Sequence, residues 1–200
     1  MFRADSRMSI VLPWGVRRVS EIEEKAIPAR FVADPLVRIG HVHLKVADLA
    51  RALGFYSGVL GLHIMQRFGD SAAFISAGGY HHHIGLNTWE SLGGSAPPSG
   101  TTGLYHTAIL FPSRAALAET LHRVLAAGIP LDGAADHGVS EAIYLRDPDG
   151  NGVELTWDRP REQWPHTEEG QLAMYTRRLD LKGLLNEAVP DTLGSGPRDL

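Results

Sequence analysis

The strongest constraint on this chain is that it repeats itself. Setting His41 against His106 aligns two segments about 65 residues apart, and a period of that length defines an architecture before any single element is assigned. Each copy opens with an alternating apolar run, Ile39 to Val46 and Leu104 to Phe111, the pattern of a half-buried strand. Each then reaches a helix-capping residue, Asp48 or Ser113, ahead of an amphipathic stretch, Leu49 to Leu60 and Arg114 to Ala127. Both stretches run out at a glycine, Gly61 and Gly128, the residue that most easily takes the left-handed conformation closing a helix. Short strands follow: Ile64 to Phe68, Ala72 to Ser76 and His82 to Thr88 in the first copy, Ala142 to Leu145 and Gly152 to Trp157 in the second. The turn Asp147-Pro148-Asp149-Gly150-Asn151 separates the last two.

The order βαβββ, written twice, predicts an α+β fold of two modules whose sheets pair into an open, cup-like barrel around a metal site. The boundaries are an N-terminal arm over 1–36, a first module over 37–90, a Gly/Pro/Ser-rich linker over 91–103, a second module over 104–158 and a C-terminal arm over 159–200. That last arm is expected to pack on a second subunit, making a homodimer or higher homo-oligomer.

Composition narrows the function. A formal charge of −4 provides no basic field, which excludes nucleic acid as a partner. No apolar run approaches the roughly 20 residues that cross a bilayer, so no membrane partner is expected. The mildly apolar Ser9 to Val16 is interrupted by Pro13 and Gly15 and leads to no cleavage site, so the expected location is cytoplasmic. Cysteine is absent, so a bound metal must use His, Asp or Glu.

Those ligand types stand where the repeat puts them. His41 and His106 open equivalent strands, and Glu154 lies on the closing strand of the second copy. Two histidines and a carboxylate are the protein ligands of a non-haem ferrous site with open coordination positions. His43 shares a strand face with His41, but the repeat pairs it with the small Ala108. Tyr144 and Glu154 each lie five residues from Asp149, so a symmetric hairpin sets them opposite each other on one face. His137 precedes that hairpin and can hang over the same cavity. In His81-His82-His83, alternation allows either His82, or His81 with His83, to face inward.

These residues resemble the vicinal oxygen chelate superfamily (glyoxalases, bleomycin resistance proteins and extradiol dioxygenases), specifically its ring-cleavage enzymes of the catechol 2,3-dioxygenase type. The resemblance covers about residues 37 to 158. It implies that His41, His106 and Glu154 bind Fe(II), with Mn(II) as the alternative metal. Along Phe74 to Leu86 it matches His82 to an acid–base histidine, with His83 as the rival at that place and assigned to substrate binding. It matches His137 and Tyr144 to a second histidine and a tyrosine near the substrate. The implied reaction opens catechol or a substituted catechol with dioxygen to a muconic semialdehyde. The implied partners are thus a small aromatic diol and dioxygen. Relatives of this type have four modules and this chain has two. The competing readings are a glyoxalase-like metal-dependent isomerase or lyase, and a non-catalytic drug- or aromatic-binding resistance protein on the same scaffold. The first usually closes a fourth metal position with a carboxylate on the last strand of module one, where this sequence has histidines, with Glu90 beyond.

Overall fold

A computed structural model describes residues 32–188. Residues up to Arg38 form a unit separate from the one that begins at Ile39. The expected arm over 1–36 falls mainly outside the described residues, as does the end of the C-terminal arm. In the first unit, the Asp34 side chain accepts from the Leu36 N–H and shapes a short turn.

The second unit carries the repeat. Its first half runs β1 (Val42–Lys45), α1 (Leu49–Leu53), β2 (His63–Phe68), β3 (Ala72–Ser76) and β4 (Ile84–Asn87). Asp48 caps α1 by accepting from the Arg51 N–H at 3.0 Å. The expected single helix then widens: Gly54–Val59 forms a π-helical turn, with the Leu60 N–H reaching back to the Phe55 carbonyl. The second half runs β5 (Thr107–Leu110), α2 (Arg114–Ala126), β6 (Leu131–Asp136), β7 (Ser140–Arg146) and β8 (Gly152–Asp158). Ser113 caps α2, and Leu117, Ala118, Leu121 and Val124 form its buried stripe. Gly61 and Gly128 close the two helical stretches at φ of 80° and 70°, as the sequence predicts.

Each half folds into its own sheet, ordered β1-β4-β3-β2 and β5-β8-β7-β6. In both, the first strand lies parallel to the last and the other pairings are antiparallel. Among the described residues no strand pairing links the two sheets. One apolar core joins the halves, with Val46, Tyr56 and Leu86 from the first and Leu121, Ile143 and Leu155 from the second. The halves also touch where the Ala47 N–H donates to Asp149 Oδ1 at 3.1 Å.

The described part of the C-terminal segment folds back on its own chain. A short strand β9 (Arg177–Arg178) adds to the edge of the second sheet beside β6, and α3 (Leu181–Leu185) follows. Leu179 and Leu184 are buried in the shared core, so this stretch completes a module instead of projecting as a free arm. Buried Glu141 on β7 anchors the same region. It accepts from Arg114 Nε at 2.8 Å and Arg159 Nη2 at 2.9 Å, and Arg114 also reaches Glu187. Among the described residues, no helix is long and apolar enough to cross a membrane.

Candidate functional site

The second sheet gathers four of the expected residues. The β7–β8 hairpin sets Tyr144 directly opposite Glu154, so the symmetric turn around Asp149 forms as its spacing requires. On the other side of β8, the parallel pairing Thr107↔Val153 and Ala108↔Glu154 brings the start of β5 alongside. This approach depends on Gly152. A Cβ there would run into the Tyr105 carbonyl oxygen and come within 3.0 Å of the His106 Cβ. With only hydrogen at that position, His106 settles beside β8.

The resulting contacts form a row. His106 Nε2 lies 2.9 Å from Glu154 Oε2. The Tyr144 hydroxyl donates to Glu154 Oε1 at 3.2 Å, and His137 Nε2 lies 2.7 Å from that hydroxyl. Burial, followed by the Glu154 carboxylate, pushes the Tyr144 hydroxyl up to about 12. It therefore keeps its proton near neutrality and acts as a donor. Next to the row is a cavity of about 310 Å³, lined by Tyr105, His106, Tyr144, Arg146 and Gly152 among others.

His106 and Glu154 suit a divalent first-row metal, since imidazole nitrogen and carboxylate oxygen are its common donors. His106 Nδ1 is buried without a partner among the described residues, which leaves Nε2 as the nitrogen presented to Glu154. The Tyr144 contact orients the carboxylate from behind, as outer groups do around metal ligands. His41 is placed differently. It stands exposed ahead of β1, its ring centroid 4.3 Å from that of His82. Among the described residues no three His, Asp or Glu side chains stand close enough together to hold a metal ion.

On the first sheet His82 lies between His41 and Phe74, 4.9 Å from the latter. Burial lowers its pKa, with the neighbouring histidines 41, 81, 43 and 83 adding to the effect. A neutral His82 is therefore favoured, and its Nδ1 lies 2.7 Å from His81 Nδ1. A second hollow, about 450 Å³, is lined by Met65, Gln66, Phe68, Phe74, His81 and His82. His83 is tied down. Its Nδ1 accepts from the Ala77 N–H at 3.3 Å, lies 2.9 Å from Ser76 Oγ, and its ring packs on Tyr80. His43 packs over Gly85, with Phe74 and Trp89 beside it.

The sequence reading misses one group of neighbours. His137 Nδ1 meets the Tyr175 carbonyl and the Thr176 hydroxyl, both outside the repeat, where no internal alignment can mark them.

Residues 38–155 match the family described as Glyoxalase/Bleomycin resistance protein/Dioxygenase superfamily, and the chain belongs to that superfamily. It is 41% identical over 161 residues to a catechol-2,3-dioxygenase of Bacillus subtilis (strain 168), a match covering 80% of this chain and 55% of the relative. It is 33% identical over 139 residues to biphenyl-2,3-diol 1,2-dioxygenase 3 of Rhodococcus globerulus, covering 66% of this chain and 72% of that one. The chain thus spans about half the length of the Bacillus relative. A glyoxalase/dioxygenase crystal structure from Nostoc punctiforme shares the fold, with a TM-score of 0.54 at 20% identity over 66% of this chain and 99% of that one.

Proposed function

We propose that the protein is a non-haem Fe(II) extradiol dioxygenase, which opens catechol or a substituted catechol with dioxygen to a muconic semialdehyde. The observation that carries this reading is the row His106, Glu154, Tyr144 and His137, joined by one close imidazole–carboxylate contact and two hydrogen bonds, beside a cavity of about 310 Å³. The likeness to enzymes named for catechol and biphenyl-diol cleavage supports it. His106 and Glu154 would hold the metal, and His41, which stands against His82 in this structure, would have to close on that pair to serve as the third ligand. Iron when bound lowers the pKa of a coordinated hydroxyl and supplies the redox chemistry; manganese is the alternative.

The remaining work falls to this chain's own groups. Tyr144, protonated near neutrality, fixes the Glu154 carboxylate or, turned from it, gives its one hydrogen bond to a substrate oxygen or to His137. His137 holds that hydroxyl and exchanges a proton with it. His82, neutral, takes a proton from the bound diol and later returns it. Phe74 packs edge-on against His82, with Phe68 against Phe74 in turn.

A glyoxalase-like isomerase would need a further carboxylate from module one. Strand β4 is buried throughout and carries none, while Glu90 is exposed and paired with Lys45 at 3.7 Å. The deciding experiment is oxygen uptake by anaerobically Fe(II)-loaded protein across a panel of catechols. One dioxygen consumed per ring, with a yellow semialdehyde formed, is the expected result. A colourless muconate, or no uptake at full iron occupancy, refutes the reading.

A further inference from the structure

His137 is held from outside both modules, and the groups that hold it differ in what they can do. Its Nδ1 lies 3.2 Å from the Tyr175 carbonyl oxygen and 3.1 Å from Thr176 Oγ1. Its Nε2 lies 2.7 Å from the Tyr144 hydroxyl. That hydroxyl has one proton and faces two acceptors, Nε2 and Glu154 Oε1.

The proton count allows two neutral arrangements. When Tyr144 donates to Glu154, Nε2 must carry hydrogen and Nδ1 must accept. Only Thr176 can then donate to Nδ1, because a backbone carbonyl solely accepts. When Tyr144 donates to Nε2 instead, Nδ1 carries the hydrogen, and either the Tyr175 carbonyl or Thr176 accepts it. The carbonyl satisfies one tautomer; the hydroxyl, free to rotate, satisfies both.

The chain brings Thr176 to this place with some precision. Strand β9 pairs Arg177 with Asp136, the residue before His137. The Tyr175 N–H donates to the His137 carbonyl at 3.2 Å. Gly138 packs so closely that a Cβ there would fall 2.7 Å from Tyr175 Cε1 and 2.9 Å from Pro165 Cγ. Asp136 is itself fixed, accepting from the Gly138 N–H at 2.8 Å and pairing with Arg159 at 3.1 Å. Thr176 is exposed, whereas His137 and Tyr144 are half-buried, so the row runs from Glu154 outward to solvent.

We propose that Thr176 is a positioning residue that lets His137 exchange tautomers, making the Thr176 hydroxyl the solvent end of a proton relay. A proton arriving at Nε2 is matched by one leaving Nδ1 for the Thr176 hydroxyl, which passes its own proton to water; the reverse path resets the ring. Charge and proton number are conserved at each exchange. The proposal rests on the reading of His137 as a proton-handling group in the dioxygenase, and it assigns a task to a segment beyond the matched residues 38–155.

The test compares Thr176→Val, which keeps shape and removes the hydroxyl, with Thr176→Ser, which keeps the hydroxyl. Thr176→Ala serves as a second deletion. In the metal-free full-length chain, ¹⁵N shifts of the His137 imidazole, assigned by their loss in His137→Asn, report the tautomer directly. The wild type and Thr176→Ser should show both tautomers in exchange, and the Val and Ala variants only the Nδ1–H form. With iron loaded and catechol as substrate, Thr176→Val should lower kcat about tenfold, the scale of one hydrogen bond, with KM changed less than about twofold and Ser restoring the rate. A wild-type tautomer distribution in the Val and Ala variants overturns the proposal, as does a shifted distribution with unchanged kcat. Should the wild type show no dioxygenase activity, that reading falls while the tautomer measurement still decides the role of Thr176.

Discussion

The Tyr56 hydroxyl of the first module donates to Asp147 Oδ2 of the second at 3.0 Å, a buried contact between residues 91 positions apart. Asp147 also accepts from the Asp149 and Asn151 N–H groups and from Asn151 Nδ2. One carboxylate therefore both joins the halves and shapes the turn that sets Tyr144 against Glu154. Tyr56→Phe should cost about 1–3 kcal/mol at neutral pH, because Asp147 loses a buried donor. Burial first, and then Asp147, raise the Tyr56 pKa in the folded chain, whereas an unfolded tyrosine titrates near 10. The folded state then binds more protons than the unfolded one above pH of about 10, so this contribution is full below that pH and lost as pH rises. Thermal denaturation from pH 7 to 11 should show the gap between wild type and Tyr56→Phe narrowing above about 10. A gap that widens contradicts the assignment.

Metal retention should follow the His106–Glu154 pair. His106→Ala and Glu154→Gln are expected to fold and to carry little Fe(II) after anaerobic loading, while His43→Ala, altering a ring packed over Gly85, should load normally. Elemental analysis after desalting checks this. Full iron content in both ligand variants would move the metal elsewhere, and His41→Ala in the same series tests the proposed third ligand.

Gly152→Ala changes no donor, yet it should impair metal uptake. The added methyl meets the Tyr105 carbonyl oxygen and crowds the His106 Cβ, so β5 and β8 must separate. A stability loss of about 1–3 kcal/mol is the usual scale for such overpacking. Calorimetry alongside iron titration reads both effects, and normal uptake at wild-type stability would show that the strands have slack.

His82→Phe should preserve the ring contacts with His41 and Phe74 and leave iron content unchanged. Turnover should fall by about 10²–10⁴-fold, the range for a positioned acid–base group. His83→Ala removes a ring bound to Ser76 and the Ala77 N–H and should show mainly as lost stability. A larger rate effect at His83 than at His82 would reverse the two roles.

Elements written into local pattern were legible from the sequence. Asp48 and Ser113 cap helices, Gly61 and Gly128 close them, and the spacing around Asp149 pairs Tyr144 with Glu154. Strand β6 escaped notice because Leu-Asp-Gly-Ala-Ala-Asp has no β-branched or aromatic residue to mark it. The π-helical turn after α1 left no trace in periodicity, since one extra residue in a turn shifts the apolar pattern only slightly. The alternation of side chains could not choose between His82 and His83, because both precede the point where β4 becomes regular. Thr176 was invisible for a different reason: its partner His137 lies across the sheet, and only β9 pairing brings them together.

The order in which the second sheet is assembled follows from where β9 sits in the chain. Both modules are complete in sequence by Asp158, but the strand that steadies the His137 loop starts only at Arg177. On a ribosome extending the chain at about 5–20 residues per second, the nascent protein passes through a stage at which both module sequences have been made while His137 lacks its outer neighbours. The outer neighbours of His137 and the core residues Leu179 and Leu184 thus join the second module together, after its repeated part has already been made.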